Sequence, residues 1–339
     1  MATTKCANCV SRIVMRQLSY GEAIREAFEQ TMERDPSVFL IGQGVVSPWY
    51  VGNTTKGLAQ KFGVERVIDT PVAENGITGV ALGAAIAGMK PVVIHPRMDF
   101  MLLACEQIIN QAANWRYMFG GKAHASLTIR AIINRGGEQG CQHSQALQTL
   151  FAHIPGLKVV MPSTAYDAKG LLVSAINDPD PVMYIDDRWL YGETSDVPKQ
   201  IYAIPFGEGT IEKKGKDLTV IGISSMLPHA MQAAKELEKK NISIEVINLR
   251  SLKPLDENII FESVKKTGRL VIAEASWKTG GFAGEIAARV QEVMFTSLKA
   301  PVMRVCLPDT PAPMSVALEK RYYPDEKNIV QAIKTVINF

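Results

Sequence analysis

Apolar, β-branched runs alternate with amphipathic stretches along most of the chain. The runs Val38–Gly42, Lys90–Ile94, Leu127–Ile133, Lys158–Met161 and Val182–Ile185 are predicted strands. They are apolar throughout, as strands buried on both faces of a parallel sheet are. Between them the spacing predicts helices over Tyr20–Arg34, Gly76–Gly88, Met101–Phe119 and Ala165–Asn177, with a shorter one from Ser144. Thr164 supplies an N-cap for the helix at Ala165. The pattern pauses between about Asp187 and Asp217, where Gly192, Pro198, Pro205, Gly207, Gly209 and Gly215 fall. It restarts with strands at Leu218–Ile223, Ile242–Ile247, Leu270–Ala273 and Val302–Val305. The matching helices are Met226–Lys239, Asn258–Lys266, Gly281–Val293 and Asn328–Ile337.

This alternation is a βαβ architecture: an α/β protein of two domains, each a mostly parallel sheet flanked by helices. The expected divisions are a poorly ordered leader at 1–18, a first domain at 19–195, a linker at 196–204 and a smaller second domain at 205–339. The length of 339 residues agrees with two domains.

Composition then removes several functions. Lys+Arg 37 against Asp+Glu 34 gives a net charge of +3, without the basic excess of a nucleic-acid binder. A hydrophobic content of 47% is not that of a disordered chain. No apolar run reaches the roughly 18–20 residues that span a bilayer. Cys6, Cys9, Cys105, Cys141 and Cys306 are odd in number and lack framework spacing, which fits a reducing compartment. Residues 1–20 carry Lys5, Arg12 and Arg16 and no acid, but lack the Arg and Ser richness of a transit peptide. A bacterial cytoplasm is the expected location, with a mitochondrial matrix left open. Cys6-Ala-Asn-Cys9 has no second pair to complete a metal site and reads as incidental.

Three segments carry candidate chemistry. In Asp69-Thr-Pro-Val-Ala-Glu-Asn-Gly, the carboxylate of Glu74 sits just ahead of a helix. It is either an acid favoured by the helix dipole or a buried acid at a subunit contact, where desolvation would tune it for proton exchange. The helix that follows has Gly79, Gly83 and Ala87 at four-residue spacing, which lets another helix approach closely. In Ile94-His-Pro-Arg-Met-Asp-Phe100, a strand end brings up His95, Arg97 and Phe100. Ligands bind at such ends in open α/β sheets. Phe100 either fills core or stacks on a flat heterocycle, and His95 and Arg97 line a ligand or a solvated loop. In Gly136-Gly-Glu-Gln-Gly-Cys-Gln-His-Ser-Gln145, a Gly-rich loop leads to His143. That histidine is either a neighbour of a helix cap or a general acid/base. The chain has no Gly-x-Ser-x-Gly elbow, no Gly-x-x-x-x-Gly-Lys-Ser/Thr cradle and no strand–Gly-x-Gly-x-x-Gly–helix unit. A Gly-Asp-Gly with a downstream Asn, which would hold magnesium diphosphate, is also missing.

Taken in order, the words of the chain resemble a known family. They include Asp69-Thr-Pro…Glu74, Gln107-Ile-Ile-Asn-Gln-Ala-Ala113, Tyr117-Met-Phe-Gly-Gly121, Gln142-His-Ser-Gln145 and Pro155-Gly-Leu-Lys-Val-Val160. In the second half they include Leu249-Arg-Ser-Leu-Lys-Pro-Leu-Asp256, Gly280-Gly-Phe-Ala-Gly-Glu-Ile286 and Asp309-Thr-Pro-Ala-Pro313. From about Ser19 onward the chain resembles the beta subunit of the thiamine-diphosphate-dependent first component of 2-oxo acid dehydrogenases, of the pyruvate and branched-chain type.

The resemblance implies a transketolase-like pyrimidine-binding domain and a transketolase C-terminal-like domain. It implies oxidative decarboxylation of a 2-oxo acid with acyl transfer to a lipoyl group. Glu74 then contacts N1′ of the aminopyrimidine, Phe100 packs on that ring, and His143 assists proton transfer or acylation of the acceptor. Thiamine diphosphate is shared with an alpha subunit that holds Mg2+ and the diphosphate, in an α2β2 heterotetramer, and a dihydrolipoyl acyltransferase core is the further partner the resemblance suggests. A structural potassium ion, bound mainly through backbone carbonyls, is implied at Ile132, Ala175, Asp178 and Asp180. Where the family has Glu or Gln and further aromatics, this chain reads Ile94-His95-Pro96-Arg97-Met98. The departure suggests that His95 or Arg97 meets an anionic group on a substrate other than simple pyruvate, or that Arg97 pairs with an acid of the alpha subunit. Two further readings stay open: the C-terminal half of a split transketolase-like enzyme acting on a sugar, and a non-catalytic scaffold subunit.

Overall fold

A computed structural model describes residues 14–135 and 139–339. The Cys6–Cys9 pair and Gly136–Glu138 lie outside the described residues. In chain order the strands are β1 (Met15–Ser19), β2 (Val38–Gln43), β3 (Val67–Thr70), β4 (Lys90–His95), β5 (Thr128–Ile133), β6 (Lys158–Val160) and β7 (Val182–Asp187). They continue with β8 (Thr194–Pro198), β9 (Thr210–Lys213), β10 (Leu218–Gly222), β11 (Ile244–Asn248), β12 (Ser251–Lys253), β13 (Leu270–Trp277) and β14 (Met303–Leu307).

The first sheet has the order β12-β6-β7-β5-β4-β2-β3 and is parallel except for the β12–β6 pair. Its central strands are buried on both faces, as their unbroken apolar runs require. Alternate residues feed two cores: Ile41, Val93 and Met183 face one, and Leu40, Val92 and Tyr184 the other. The second sheet has the order β14-β13-β10-β11-β9, with only β9 antiparallel. Ile221 and Ile247 of the second sheet share a core with Val93 and Ile129 of the first. Strand β12 also belongs by sequence to the second half yet pairs with β6. The Arg250–Asp167 ion pair, at 2.8 Å and almost fully buried, joins the halves again.

Two helices run as the periodicity predicts, over Tyr20–Arg34 and Ala165–Asn177. Both begin with a capping box, Ser19 with Glu22 and Thr164 with Asp167, so their start is written locally. The predicted helix Met101–Phe119 is instead one rod wound three ways. It is 3₁₀ over Phe100–Ala104, π over Glu106–Ala112 and α over Ala113–Met118. Apolar periodicity cannot distinguish these windings, and π segments are frequent beside functional sites. The helix expected from Ser144 begins only at Gln148.

The termini of the first domain differ from expectation. Met15–Leu18, assigned to a poorly ordered leader, lie in β1. That strand pairs antiparallel with β8 from Met15↔Pro198 to Ser19↔Thr194. Asp196–Pro198, assigned to the linker, therefore belong to a two-stranded ribbon. Both strands are short and polar, so neither shows the apolar run by which buried strands are read. Among the described residues no helix is long and apolar enough to cross a membrane.

Candidate active site

The chain leaves β2 toward β3 on one side and returns to β4 on the other. This is the topological switch point of a doubly wound sheet, where the carboxyl ends of neighbouring strands diverge and leave a crevice. A cleft of ≈ 650 Å³ lies there. Gln43 ends β2, His95 ends β4, Asn134 follows β5 and Arg188 follows β7, and all four line it. Glu74, Arg97, Phe100 and His143 complete the wall, with Trp49 and Tyr50 at the rim. The residues singled out from three separate segments thus meet in one place.

Glu74 is the first residue of the helix Glu74–Ile86 and is only 7% exposed. Its carboxylate accepts no hydrogen bond from any described residue. The next turn supplies Thr78, whose hydroxyl donates to the Glu74 carbonyl at 2.7 Å. The Thr78 oxygen also lies 3.2 Å from Nε2 of His95. The single hydroxyl proton is already used, so Nε2 of His95 donates and Nδ1 carries the bare lone pair. His95 is almost wholly buried and Nδ1 has no partner among the described residues. Burial lowers its pKa to about 4, so the ring is neutral near pH 7.

Phe100 is 38% exposed, which sets aside the core reading. Its ring meets the His143 imidazole edge to face, with centroids 5.1 Å apart. Asp99 fixes that pairing. Its Oδ1 accepts from the Gln145 backbone N–H at 3.1 Å and from Gln145 Nε2 at 2.9 Å, which anchors the His143 loop beside the turn that carries Phe100. Burial raises the Asp99 carboxyl above its ordinary pKa, although the Gln145 bonds oppose this.

Two guanidiniums enter the cleft. Arg97 is half-buried, donates from Nη1 to the Pro96 carbonyl at 2.8 Å, and keeps a buried Nε without a partner among the described residues. Burial, and then the charge of Arg188, lower its pKa. Arg188 donates to Asn134 Oδ1 at 3.1 Å and to the Trp49 carbonyl at 2.7 Å. Sequence reading missed Arg188, Asn134 and Asp99. The strand before Arg188 was expected to stop at Ile185, whereas β7 runs through two buried aspartates to Asp187.

The four positions expected to bind potassium do not form one site. Thr128 of β5 pairs with Val182, close to Asp178 and Asp180. Ile132 stands four residues further along β5, about 13 Å away at the rise of a strand. Its carbonyl accepts from the Met98 N–H at 2.9 Å. Asp178 binds Lys158 Nζ at 2.6 and 2.7 Å, and Asp180 binds Arg116 at 2.6 Å. The expected ligands are backbone carbonyls, and Ile132 lies too far along β5 for its carbonyl to share one ion with those of Ala175, Asp178 and Asp180. Ligation through backbone carbonyls leaves no side-chain pattern, which is why the position of Ile132 was misjudged.

Known proteins match both halves of the chain. Residues 16–193 match the transketolase pyrimidine binding domain and residues 207–329 the transketolase C-terminal domain. The chain is 45% identical over 329 residues to the acetoin:2,6-dichlorophenolindophenol oxidoreductase subunit beta of Cupriavidus necator, covering 94% of this chain and 97% of that one. It is 41% identical over 320 residues to the pyruvate dehydrogenase E1 component subunit beta of Rickettsia felis, covering 94% and 98%. A solved split gene transketolase, described as an inactive beta4 tetramer, superimposes with a TM-score of 0.76 at 24% identity, covering 95% of this chain and 98% of that one. That likeness concerns the fold alone. The chain belongs to the transketolase-fold beta subunits, the family of the pyruvate dehydrogenase E1 beta and acetoin oxidoreductase beta subunits.

Proposed function

We propose that this chain is the beta subunit of a thiamine-diphosphate-dependent 2-oxo acid dehydrogenase that decarboxylates a 2-oxo acid and passes the acyl group to a lipoyl acceptor. The observation that carries this reading is Glu74: a buried carboxylate with no hydrogen-bond donor among the described residues, opening on a cleft shared with an exposed aromatic ring and a histidine. A flat, protonatable heterocycle satisfies all three. Thiamine diphosphate, when bound, supplies the electron sink for decarboxylation.

The protein's own contributions are these. Glu74, whose carboxylate accepts no hydrogen bond from a described residue, shares a proton with N1′ of the aminopyrimidine. Phe100 presents its ring to that heterocycle and excludes water from it. His143, held against Phe100 by the Asp99–Gln145 clamp, moves a proton at the acceptor side.

The active site is completed by an alpha subunit, to which this reading assigns Mg2+ and the diphosphate, in an α2β2 assembly. The exposed apolar side chains Val72, Val80 and Leu103 on and beside the helix Glu74–Ile86 support a protein contact at that face. An acyltransferase core is the onward partner, and a bacterial cytoplasm the expected setting. The two subunits named above are oxidoreductase and dehydrogenase components, which favours this reading over ketol transfer to a sugar or a scaffold role.

The test is co-expression with the alpha subunit, followed by a screen of 2-oxo acids with thiamine diphosphate and an artificial electron acceptor. Glu74→Gln is expected to lower kcat by about a hundredfold or more, in the range of proton-transfer catalysis. Full activity in that variant, or no decarboxylation of any 2-oxo acid by the wild-type complex, overturns the proposal.

A further inference from the structure

We infer that Arg97 and Arg188 form an anion subsite that selects a 2-oxo acid whose side chain ends in a charged group such as a carboxylate or phosphonate. The inference rests on the function proposed above and names the substrate class of that site.

Three observations carry it. First, the two guanidiniums come from different strand ends, after β4 and after β7, and converge on one cleft. Second, neither forms an ion pair with a carboxylate among the described residues. The more deeply buried arginines do: Arg130 pairs with Asp186, Arg135 with Asp187 and Arg250 with Asp167. Third, Arg97 keeps a buried Nε with no acceptor among the described residues, and Arg188 is near enough for its charge to work against that of Arg97. Two like charges held together with no ion-paired carboxylate among the described residues raise the free energy of the empty cleft, and a bound anion relieves it. Asp99 is the nearby acid: its charge favours that of Arg97, but it forms no ion pair with either arginine, and its Oδ1 is held by Gln145.

The chemistry of decarboxylation decides which anion they serve. The carboxylate that leaves as CO2 loses its charge on the way to the transition state. A cation clamped on it would stabilise the ground state more than the transition state and slow the reaction. An anionic group elsewhere on the substrate keeps its charge throughout, so arginines can hold it without that penalty. His95 takes no part in this recognition as a cation, because burial keeps it neutral.

The experiment uses the enzyme reconstituted with its alpha subunit. kcat/KM is measured for 2-oxoglutarate, 2-oxo-4-phosphonobutanoate, the neutral isostere 5-methyl-2-oxohexanoate, pyruvate and acetoin. The wild type is expected to favour the charged acids over the neutral isostere by about tenfold or more, as a site built for a polar group does. Arg97→Met and Arg188→Met are each expected to bring that ratio toward one, and Arg97→Lys to retain part of it. The wild-type ranking tests the idea even if a variant fails to fold. A wild type that prefers the neutral isostere, pyruvate or acetoin overturns the inference while leaving the decarboxylase reading standing. An unchanged ratio in both Met variants also overturns it, including the case in which they only loosen the alpha subunit. Absence of all 2-oxo acid turnover would instead strike the underlying function.

Discussion

Phe100 and His143 stand edge to face, their ring centroids 5.1 Å apart, although 43 positions separate them in the chain. Phe100 lines the cleft and remains 38% exposed beside its partner. An exposed ring held in place by a neighbour loses little freedom when a ligand stacks on it. Aromatic contacts of this kind are worth about 0.5–1.5 kcal/mol beyond area burial, or roughly threefold to tenfold in affinity. Phe100→Leu is therefore expected to weaken thiamine diphosphate binding by about that factor. Titration of the reconstituted apoenzyme with cofactor measures it, and an unchanged half-saturation point would remove Phe100 from the cofactor site.

Much of the scaffold was legible because burial on both faces forces unbroken apolar runs, as in β2, β4, β5 and β7. Helices with local start signals, such as Ser19 with Glu22, were legible to their ends. The short polar strands β1, β8 and β9 were not, since their order comes from pairing partners distant in sequence. At the site, Glu74, Phe100 and His143 each carried a bland reading that pattern alone favours. Only the strand-end geometry brings them together. Arg188 and Asp99 gave no signal, because an arginine after two aspartates reads as a solvated loop until β7 is seen to carry it into the cleft. Ile132 shows the converse: a backbone ligand leaves nothing in the sequence to test.

His95 predicts a pH dependence of stability. Burial lowers its pKa from the ordinary 6.5 to about 4. Between those values the unfolded chain binds a proton that the folded chain refuses, so stability rises with pH across the window and falls on acidification through it. One such group accounts for about 3 kcal/mol once the pH is below the folded pKa. Urea unfolding from pH 7 to pH 4 should therefore show a shallower slope for His95→Gln than for the wild type. Parallel curves would mean that His95 titrates in its ordinary range, and that its neutral ring is no feature of the cleft.

Beneath the cleft, Arg130 is fully buried and bonds Asp186 through Nε at 2.9 Å and Nη2 at 2.8 Å. It also donates to Thr54 at 2.8 Å and to the Tyr191 hydroxyl at 2.9 Å, and lies 5.7 Å from the centre of the Phe28 ring. Burial alone would lower its pKa, and the charges of Asp186 and Tyr191 more than reverse that. Thr54 and Tyr191 belong to the segments that carry Trp49, Tyr50 and Arg188, so the network fixes the floor of one cleft wall. Arg130→Met leaves Asp186 buried without its cation and is expected to cost about 3–5 kcal/mol of stability. Arg130→Met combined with Asp186→Leu removes both charges, and is expected to be more stable than Arg130→Met alone. A double-mutant cycle by urea unfolding separates the outcomes. Simple additivity would show two independent side chains. A large coupling would show one unit, and would explain how a strand that ends in two buried aspartates, Asp186 and Asp187, is held still enough to serve as a wall of the site.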